Sequence, residues 1–366
     1  MKFEITKEEL LRPLQQVSGV VERRQTLPIL SNVLVVAEAG SLAFTATDLE
    51  VELHASLEHD VATPGIATLP ARKLMDICRN LPDGAKLTLT VDGERGTLKS
   101  GRSRFTLATL PAEDFPKVEE VPSTQSVALP QATLRQLIDA THFAMAQQDV
   151  RYYLNGLMLE LAGSRLRAVA TDGHRLSLAD IDAELNVEEP VQVIVPRKGI
   201  SELLRLLEES EDPAQIELGT NHVRVSLPGF VFTSKLIDGR FPDYERVIPA
   251  DSGHPISADC GVLRQALLRT SILSNEKYRG IRFQLETNNL RILAHNPEQE
   301  EAEEEIEVVY DGAPLEIGFN ANYIIDALSA IRTEQVTMNI TDSSSSCLLT
   351  PDGEGGCRYV VMPMRL

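Results

Sequence analysis

The chain has 366 residues, 43% of them hydrophobic and 24% charged, which is typical of globular proteins. Its net charge of −19 argues against a surface that binds nucleic acid over most of its extent, but allows a local basic lining. No apolar run approaches the ~18 residues of a membrane-spanning helix, and the N-terminus lacks the apolar core of a signal peptide. The four cysteines lie far apart without a C-x-x-C pair, so we expect reduced thiols and a cytoplasmic protein.

Apolar residues at helix spacing predict two helices in each third of the chain. In chain order they lie near Lys7–Val17, Arg72–Leu81, Ala132–Phe143, Lys198–Leu207, Gly261–Ile272 and Ala321–Arg332. Pro13 falls inside the first helix, so we expect a late start or a kink there. Strands fill the segments between the helices, and in the middle third they are predicted at Gly156–Leu161, Leu166–Ala170, Gln215–Leu218, His222–Leu227 and Phe230–Leu236.

A threefold internal repeat organises these elements. Segments ending in Thr47-Asp48, Thr171-Asp172 and His295-Asn296 are similar, and the two steps between them are both 124 residues. This period is too long for a solenoid and is that of a duplicated domain able to bury its own core. Linkers are predicted at Lys117–Ser126 and Ile248–Ile256.

The repeat also suggests an assembly. If the sheets run continuously on one side, six helices line the other, and two chains joined head to tail close a ring of twelve helices. At ~10 Å per helix, the helix axes form a circle ~38 Å across with a hole of ~28 Å, which admits a nucleic-acid duplex.

Basic residues on the predicted helices or their first turns favour such a lining. Lys and Arg also prefer exposed helix positions for other reasons, but Arg-Lys recurs at residues 72–73 and 197–198. Scattered basic side chains bind phosphates without reading sequence. The set is Lys7, Arg12, Arg72, Lys73, Arg79, Arg135, Arg197, Lys198, Arg205, Arg264 and Arg269.

Motifs for catalysis are absent from the sequence: no phosphate-binding loop, dinucleotide fingerprint, zincin motif or nucleophile elbow occurs, and the histidines lack metal-ligand spacing. The best enzyme candidate is Asp172 with His174, which could form an acid/base pair. The repeat places both at a strand-to-turn junction, where Asp-Gly is ordinary turn chemistry. We therefore favour a non-catalytic protein without cofactor or metal, with an enzyme at Asp172 and His174 as the alternative.

Two further segments have unusual compositions, one acidic and one apolar. The glutamate-rich run from Glu298 to Glu307 is expected to be a solvated loop or sheet edge. The C-terminal segment from Tyr359 to Leu366 is either a terminal strand or part of a partner-binding groove, since paired methionines suit surfaces that accept varied ligands.

Six segments resemble the beta subunits of bacterial DNA polymerase III, the beta sliding clamps. They are Gln147–Gly156, Ala170–Leu176, Phe232–Leu236, Gly239–Tyr244, Asn296–Glu304 and Tyr359–Leu366. The resemblance implies an α+β chain of three repeated DNA-clamp domains, residues 1–121, 127–246 and 250–366, with helices lining a central hole and antiparallel sheets outside. It implies a non-catalytic head-to-tail homodimer that encircles double-stranded DNA whatever its sequence. The implied partners are the DNA polymerase III alpha subunit, the clamp loader and other proteins with a clamp-binding motif.

The resemblance also implies roles for single residues. DNA contacts are implied at Arg24, Arg72, Gln148, Tyr152 and Tyr153, and dimer contacts at Phe105 and Leu107 of one chain with Ile272 and Leu273 of the other. A peptide-binding pocket between the second and third domains is implied at Leu154, Thr171, Gly173, His174, Arg175, Leu176, Pro242, Arg246, Val247, Asn320, Tyr323, Ser346, Val360, Met362, Pro363, Met364 and Arg365. Ser344 stands where relatives often carry an apolar residue, so a more polar pocket rim is expected.

Overall fold

The computed structural model describes residues 1–21, 27–116, 123, 125–249, 254–353 and 356–365, without the side chains of residues 184–189. Its elements form two compact units. Unit 1 consists of Met1–Leu134 with Ser201–Leu236, and unit 2 consists of Arg135–Ile200 with Ile237–Leu366. Arg24 and most of the first predicted linker lie outside the described residues.

All six predicted helices are present, with bounds within four residues of the predicted ones. They are α1 (Lys7–Val17), α2 (Ala71–Asn80), α3 (Gln131–Asp139), α4 (Arg197–Leu206), α5 (Cys260–Thr270) and α6 (Ala321–Ala330). The α3 helix is shorter than predicted, and a separate 3₁₀ turn covers His142–Ala144.

The late start expected for α1 at Pro13 is wrong. A capping box begins the helix at Lys7: the Thr6 hydroxyl accepts from the Glu9 N–H, and the Glu9 carboxylate accepts from the Thr6 N–H at 3.0 Å. These contacts satisfy two backbone donors of the first turn. The helix therefore forms ahead of the proline and continues through it to Val17.

Unit 1 contains two antiparallel sheets. The four-stranded sheet has the order β1 (Lys2–Thr6), β6 (Lys86–Asp92), β7 (Arg95–Ser100) and β8 (Ser103–Ala108). The eight-stranded sheet has the order β5 (Gly65–Pro70), β2 (Asn32–Glu38), β3 (Ser41–Thr47), β4 (Val51–Glu58), β14 (Phe230–Lys235), β13 (His222–Leu227), β12 (Pro213–Leu218) and β9 (Gln125–Pro130). Pairing of β4 with β14 joins the first and middle thirds of the chain in one sheet.

Unit 2 has the same kind of architecture. Its six-stranded sheet has the order β10 (Gly156–Thr171), β11 (Arg175–Pro196), β22 (Arg358–Val361), β21 (Cys347–Pro351), β20 (Gln335–Asn339) and β15 (Ile256–Asp259). Its four-stranded sheet has the order β18 (Glu301–Glu307), β17 (Asn289–His295), β16 (Gly280–Glu286) and β19 (Leu315–Asn320). The glutamate-rich run therefore forms an edge strand. Pairing of β11 with β22 joins the middle and last thirds.

The two strands predicted at Gly156–Leu161 and Leu166–Ala170 are one strand, β10. Its pairing with β11 changes register between Leu161 and Gly163 and again between Gly163 and Arg165. The polar residues at this irregularity interrupt the apolar pattern, which is why the sequence indicates two strands.

The three repeat-related turns are built alike. Asp48 follows β3, Asp172 follows β10 and Asn296 follows β17, and the side-chain oxygen of each accepts backbone N–H groups of the next residues. In the first two copies these contacts form Asx turns that end the strands. In the third copy the acceptor reaches Glu300, four residues on, so this turn is longer.

Candidate functional site

The turn after β10 brings polar residues to the end of a buried strand. The Thr171 hydroxyl donates to the Arg175 carbonyl oxygen at 2.7 Å and accepts from the Gly173 N–H at 3.1 Å. The Asp172 carboxylate accepts from the N–H groups of His174 and Arg175 at 2.9 and 3.0 Å. Gly173 has a φ of +88°, which glycine adopts most readily. The carboxylate of Asp172 is thus a structural part of the turn.

Arg175 holds this turn against α6. Its Nε donates to Asp172 at 3.1 Å, its Nη1 to Asp326 of α6 at 2.6 Å, and its Nη2 to the Phe143 carbonyl oxygen at 2.8 Å. The guanidinium also lies 5.5 and 4.6 Å from the ring centroids of Phe143 and Tyr323. We call Arg175 with these four residues the Arg175 clamp. Because its N–H donors are directed at acceptors of the protein, Arg175 holds this turn in place and does not present a free positive charge.

A cavity of about 180 Å³ lies beside the Arg175 clamp, entirely within unit 2. It includes nine of the seventeen predicted pocket residues: Leu154, Thr171, Gly173, Arg175, Leu176, Pro242, Val247, Val360 and Met362. Tyr153, predicted as a DNA contact, also lines it, as do three residues that were not predicted, Arg151, Asp243 and Tyr244. Segments far apart in sequence thus form one largely apolar pocket.

The other eight predicted residues are not among the lining residues. The His174 carbonyl oxygen accepts from the Met362 N–H at 2.9 Å, and the Ser346 hydroxyl lies 3.0 Å from the Met362 sulfur. Met364 forms a β-bridge with Gly318. Among the rest, Asn320 caps α6, Tyr323 belongs to the Arg175 clamp, Arg246 pairs with Asp243, Pro363 is half-buried and Arg365 is exposed.

Arg151 is held in place by a local network. Its Nε and Nη2 donate to the two carboxylate oxygens of Asp149 at 3.0 and 2.9 Å, and this guanidinium lowers the pKa of Asp149 to about 2. Asn155 exchanges two hydrogen bonds of 2.9 Å with the backbone of Asp149. In the sequence, the spacing Asp149-x-Arg151 indicates that the two side chains can pair, but it does not show which cavity Arg151 lines.

The Tyr244 side chain is held in place by residues that do not line the pocket. Its hydroxyl accepts from Arg167 Nη1 at 2.9 Å, while Arg167 also donates to both carboxylate oxygens of Asp180, at 2.6 and 2.8 Å. Burial raises the pKa of Tyr244, so the phenol stays neutral. The pocket wall at Tyr244 is therefore preorganised.

Ser344 is exposed, and its hydroxyl donates to Asp342 at 2.7 Å.

Comparison with known proteins identifies the family. The N-terminal, central and C-terminal domain models of the DNA polymerase III beta subunit match residues 1–119, 128–243 and 245–365. The chain belongs to the DNA polymerase III beta subunit family, the beta sliding clamps. It has three domains of the DNA-clamp fold, α+β in class. It is a processivity clamp of DNA polymerase III and is not itself catalytic.

Full-length relatives and solved structures are similar throughout. The beta sliding clamps of Pseudomonas putida and Escherichia coli are 57% and 50% identical, each covering 100% of both chains. The Pseudomonas aeruginosa sliding clamp crystallised with a ligand has a TM-score of 0.97 at 55% identity, and the one bound to griselimycin has 0.97 at 56%, both over 100% of each chain. The C. crescentus beta sliding clamp has a TM-score of 0.95 at 41% identity, over 100% of this chain and 99% of that one.

The alternative of an enzyme at Asp172 and His174 is thereby excluded. The geometry gives the physical reason, because the Asp172 carboxylate is taken up by the turn and by Arg175. Among the described residues, no group of three or more His, Cys, Asp or Glu side chains is placed to hold a metal ion. No helix of the described part is both long and apolar enough to cross a membrane.

Of the implied DNA contacts, Arg72, Gln148 and Tyr152 are exposed, whereas Tyr153 is half-buried in the lining of the cavity beside the Arg175 clamp and Arg24 lies outside the described residues. Arg72 is exposed, and its Nη2 donates to the Val21 carbonyl oxygen at 2.5 Å. Gln148 is exposed with a φ of +56°, and Tyr152 is 57% exposed. The rings of Tyr152 and Tyr153 meet edge to face, 5.8 Å apart.

The basic residues of the helices are less free than the sequence suggests. Lys7 was expected to be exposed, but it is buried and donates to the Leu81 carbonyl oxygen and to Asp83, each at 2.7 Å. Arg205 donates to Glu202 and to carbonyl oxygens of α1, and Arg269 is paired with Glu304. Several of these cations are therefore already paired within the chain.

The implied dimer contacts lie at or near sheet edges. Phe105 is half-buried and Leu107 is 7% exposed on the edge strand β8. Ile272 is 72% exposed and Leu273 is half-buried, in a 3₁₀ turn that contacts β18, itself an edge strand. Leu107 is already in the core of its own unit, so Phe105 and Ile272 offer more accessible apolar surface.

Proposed function

We propose that the cavity beside the Arg175 clamp binds extended peptides of partner proteins, namely the DNA polymerase III alpha subunit, the clamp loader and other proteins with a clamp-binding motif. The observation that supports this most is a largely apolar pocket formed by four segments: residues 151–154, the turn after β10, residues 242–247 and the C-terminal tail. At about 180 Å³ the cavity is smaller than the ~300 Å³ of small-molecule pockets, and suits an apolar side chain of a peptide.

The seventeen residues named from the family resemblance form this site in the proposal, with different tasks. Leu154, Leu176 and Val360 are buried apolar groups that would contact the anchor side chain. His174 and Arg365 are exposed and would form a polar rim with Arg246. Arg175 would position the pocket wall, since its donors already have partners.

We further propose that two chains associate head to tail and encircle double-stranded DNA in the cytoplasm, with domains at 1–121, 127–246 and 250–366. The edge strands support this, because they carry opposite charges. Arg104 is exposed on β8, whereas Glu301, Glu303, Glu305 and Glu307 are exposed on β18. Antiparallel pairing of such edges would satisfy their open backbone groups. Arg24, Arg72, Gln148, Tyr152 and Tyr153 would contact the DNA without reading its sequence.

Deletion of Met362 to Leu366 tests the peptide site. The strand β22 ends at Val361, so its pairings with β11 and β21 are retained, while the contacts of Met362 and Met364 are lost. We expect the truncated chain to remain dimeric and to bind a fluorescent clamp-binding-motif peptide at least tenfold more weakly. Arg358→Ala, an exposed change in β22 outside the cavity, is the control. Unchanged affinity of the truncated chain would refute the site.

A further inference from the structure

A buried arginine next to the pocket has a fixed orientation. Arg167 of β10 is 5% exposed and stands directly opposite Asp180 of β11 in the antiparallel register. Its Nε and Nη2 donate to the two carboxylate oxygens of Asp180 at 2.6 and 2.8 Å. This two-pronged pair fixes the plane of the guanidinium. The remaining nitrogen, Nη1, donates to the Tyr244 hydroxyl at 2.9 Å and to the Glu245 carboxylate at 3.5 Å.

Asp180 is itself tied to the segment that leads into β22. Its backbone N–H donates to the Gly356 carbonyl oxygen at 3.1 Å. A Cβ at position 356 would lie 2.6 Å from the Asp180 carbonyl oxygen, so the close approach of these two backbones requires glycine. Asp180 is therefore held by the pairing of β11 with β10 and by residue 356. The guanidinium of Arg167 is in turn a fixed point behind Tyr244.

Tyr244 belongs to a wall that separates two cavities. Pro242, Asp243 and Tyr244 line the pocket beside the Arg175 clamp, and they also line a second cavity of about 510 Å³ in unit 2. The other residues of the second cavity are Glu160, Gln192, Arg240, Phe241 and Glu245. Because a cavity adjoins this wall on each side, packing constrains the wall less than it constrains a core segment. The hydrogen bond to Arg167 supplies a further constraint.

The Tyr244 ring is continuous with the apolar lining of the pocket. It shares one buried apolar cluster with Leu176 and Val360, which both line the pocket, and it meets the Phe241 ring edge to face at 6.4 Å. A displaced Tyr244 ring would therefore change the surface that a bound apolar side chain contacts. Binding sites need their lining held within about 0.5 Å of the productive geometry.

We propose that Arg167 is a positioning residue for the peptide pocket. Held by Asp180, it fixes the Tyr244 side chain, and with it residues 242–247, in the geometry that accepts the apolar side chain of a partner peptide. Neither Arg167 nor Asp180 is among the described residues that line the pocket, or among the seventeen residues implied by the family resemblance. The inference rests on the proposed peptide function.

This role acts on affinity through the free protein. Arg167 would not touch the peptide, and its effect would come from a wall that is already in place when the peptide arrives. Ordering a side chain or a loop on binding costs affinity, and a preorganised wall avoids that cost. A purely structural ion pair between Arg167 and Asp180 would stabilise the fold without any specific effect on Tyr244 or on peptide affinity.

Two variants remove the hydrogen bond between Arg167 and Tyr244 from opposite sides. Arg167→Lys keeps a positive charge for Asp180 but lacks the planar fork that reaches both partners. Tyr244→Phe keeps the buried ring and removes only the hydroxyl. We expect each variant to weaken binding of a fluorescent clamp-binding-motif peptide by about threefold to tenfold, measured by fluorescence anisotropy. Wild-type affinity in both variants would overturn the proposal.

The double variant and a matched control distinguish positioning from a general loss of stability. If both changes act through one hydrogen bond, the double variant should bind the peptide about as well as the weaker single variant. Losses that multiply would refute the proposal. Arg165→Lys is the control, because Arg165 also lies on β10 and reaches Glu160 at 3.5 Å and Asp180 at 3.9 Å. It should bind like the wild type, and an equal loss there would refute a specific role for Arg167.

Fluorine NMR reports on the wall in the absence of peptide. With 3-fluorotyrosine incorporated into the full-length chain, Tyr244→Phe identifies the resonance of Tyr244. We expect this resonance to shift in Arg167→Lys and to stay in place in Arg165→Lys. An unmoved resonance in Arg167→Lys, or a moved one with unaltered peptide affinity, would overturn the proposal. If the wild-type chain bound no peptide, the proposed function itself would fail, and the fluorine spectra would still show whether Arg167 holds Tyr244.

Discussion

Gly173 shows how a single residue controls the pocket. Its φ of +88° is strained for any other residue, and a Cβ there would lie 2.9 Å from Arg151 Nη2. That distance requires the arginine to move, and Arg151 lines the pocket. Gly353 has a similar φ of +92° in the same unit, but a Cβ there meets no atom of the described residues within 4 Å, its chain neighbours aside. Substitutions at these two glycines therefore distinguish the effect of backbone strain from the effect of moving Arg151.

Gly173→Ala and Gly353→Ala should each lower the free energy of unfolding by about 1 kcal/mol, because alanine is disfavoured at positive φ. Only Gly173→Ala should also weaken binding of a clamp-binding-motif peptide, by several-fold. Thermal melting and fluorescence anisotropy measure the two effects. Equal loss of peptide affinity in both variants would show that strain in unit 2, and not the position of Arg151, controls the pocket.

Individual side chains were the least predictable part of the site. The sequence shows Arg175 as one more charge on a turn, whereas the fold brings Asp326, 151 residues away, to its guanidinium. Lys7 looked like an exposed helix cation and is buried against Asp83. In both cases the deciding partner comes from a distant segment, and helix or turn periodicity carries no information about such pairings.

At the level of elements, helix α1 depends on its first turn. Thr6 and Glu9 form a reciprocal capping box, and the Thr6 side chain holds the pKa of Glu9 below its usual range. The interior Pro13 removes one backbone donor, so the cap offsets a weakened helix. Glu9 is largely exposed, and we therefore attribute most of the stabilisation to the Thr6 hydroxyl.

Thr6→Ala should destabilise α1 by about 1 kcal/mol, and Thr6→Ser should retain most of the stability because its hydroxyl can cap in the same way. Amide hydrogen exchange of Leu14 to Val17 reports the local opening of the helix. If alanine and serine exchange at the same rate, the cap contributes little and packing of the buried face determines the helix.

Elements were predicted better than their connections. Helix spacing identifies all six helices because each has one buried stripe, such as Leu263, Ala266 and Leu267 in α5. Strand β10 was divided in two because an irregular stretch near Gly163 breaks the alternation. Register shifts of this kind depend on the partner strand and not on the local sequence.

For the molecule as a whole, the 124-residue repeat predicted equivalent turns at Asp48, Asp172 and Asn296, and the structure has them. It did not show where sheets join. Pairing of β4 with β14 and of β11 with β22 carries the sheets across the repeat boundaries. The compact units therefore divide the middle third, and the domain bounds 1–121, 127–246 and 250–366 stay a prediction.

DNA contact should be weak, independent of sequence and sensitive to salt. Arg72→Ala should lower retention on circular DNA equally for any sequence, and reduce the slope of log affinity against log salt by about 0.9 if it removes one phosphate contact. Arg291→Ala makes the same charge change at a residue paired with Glu303 and Glu305, and should have little effect. Strong discrimination between two duplex sequences would contradict this mode of binding.

The proposed head-to-tail dimer depends on exposed apolar residues next to an edge strand. Ile272 is 72% exposed beside the acidic edge β18, and burying it with Leu273 against Phe105 of a second chain would remove apolar surface from water. Ile272→Ala with Leu273→Ala should therefore give monomers in sedimentation velocity. Val309→Ala, which changes an equally exposed apolar residue of the same unit, should stay dimeric. High salt should weaken the wild-type dimer, because Arg104 and the β18 glutamates would lose their attraction. A double variant that sediments as the wild-type dimer would place the contact elsewhere.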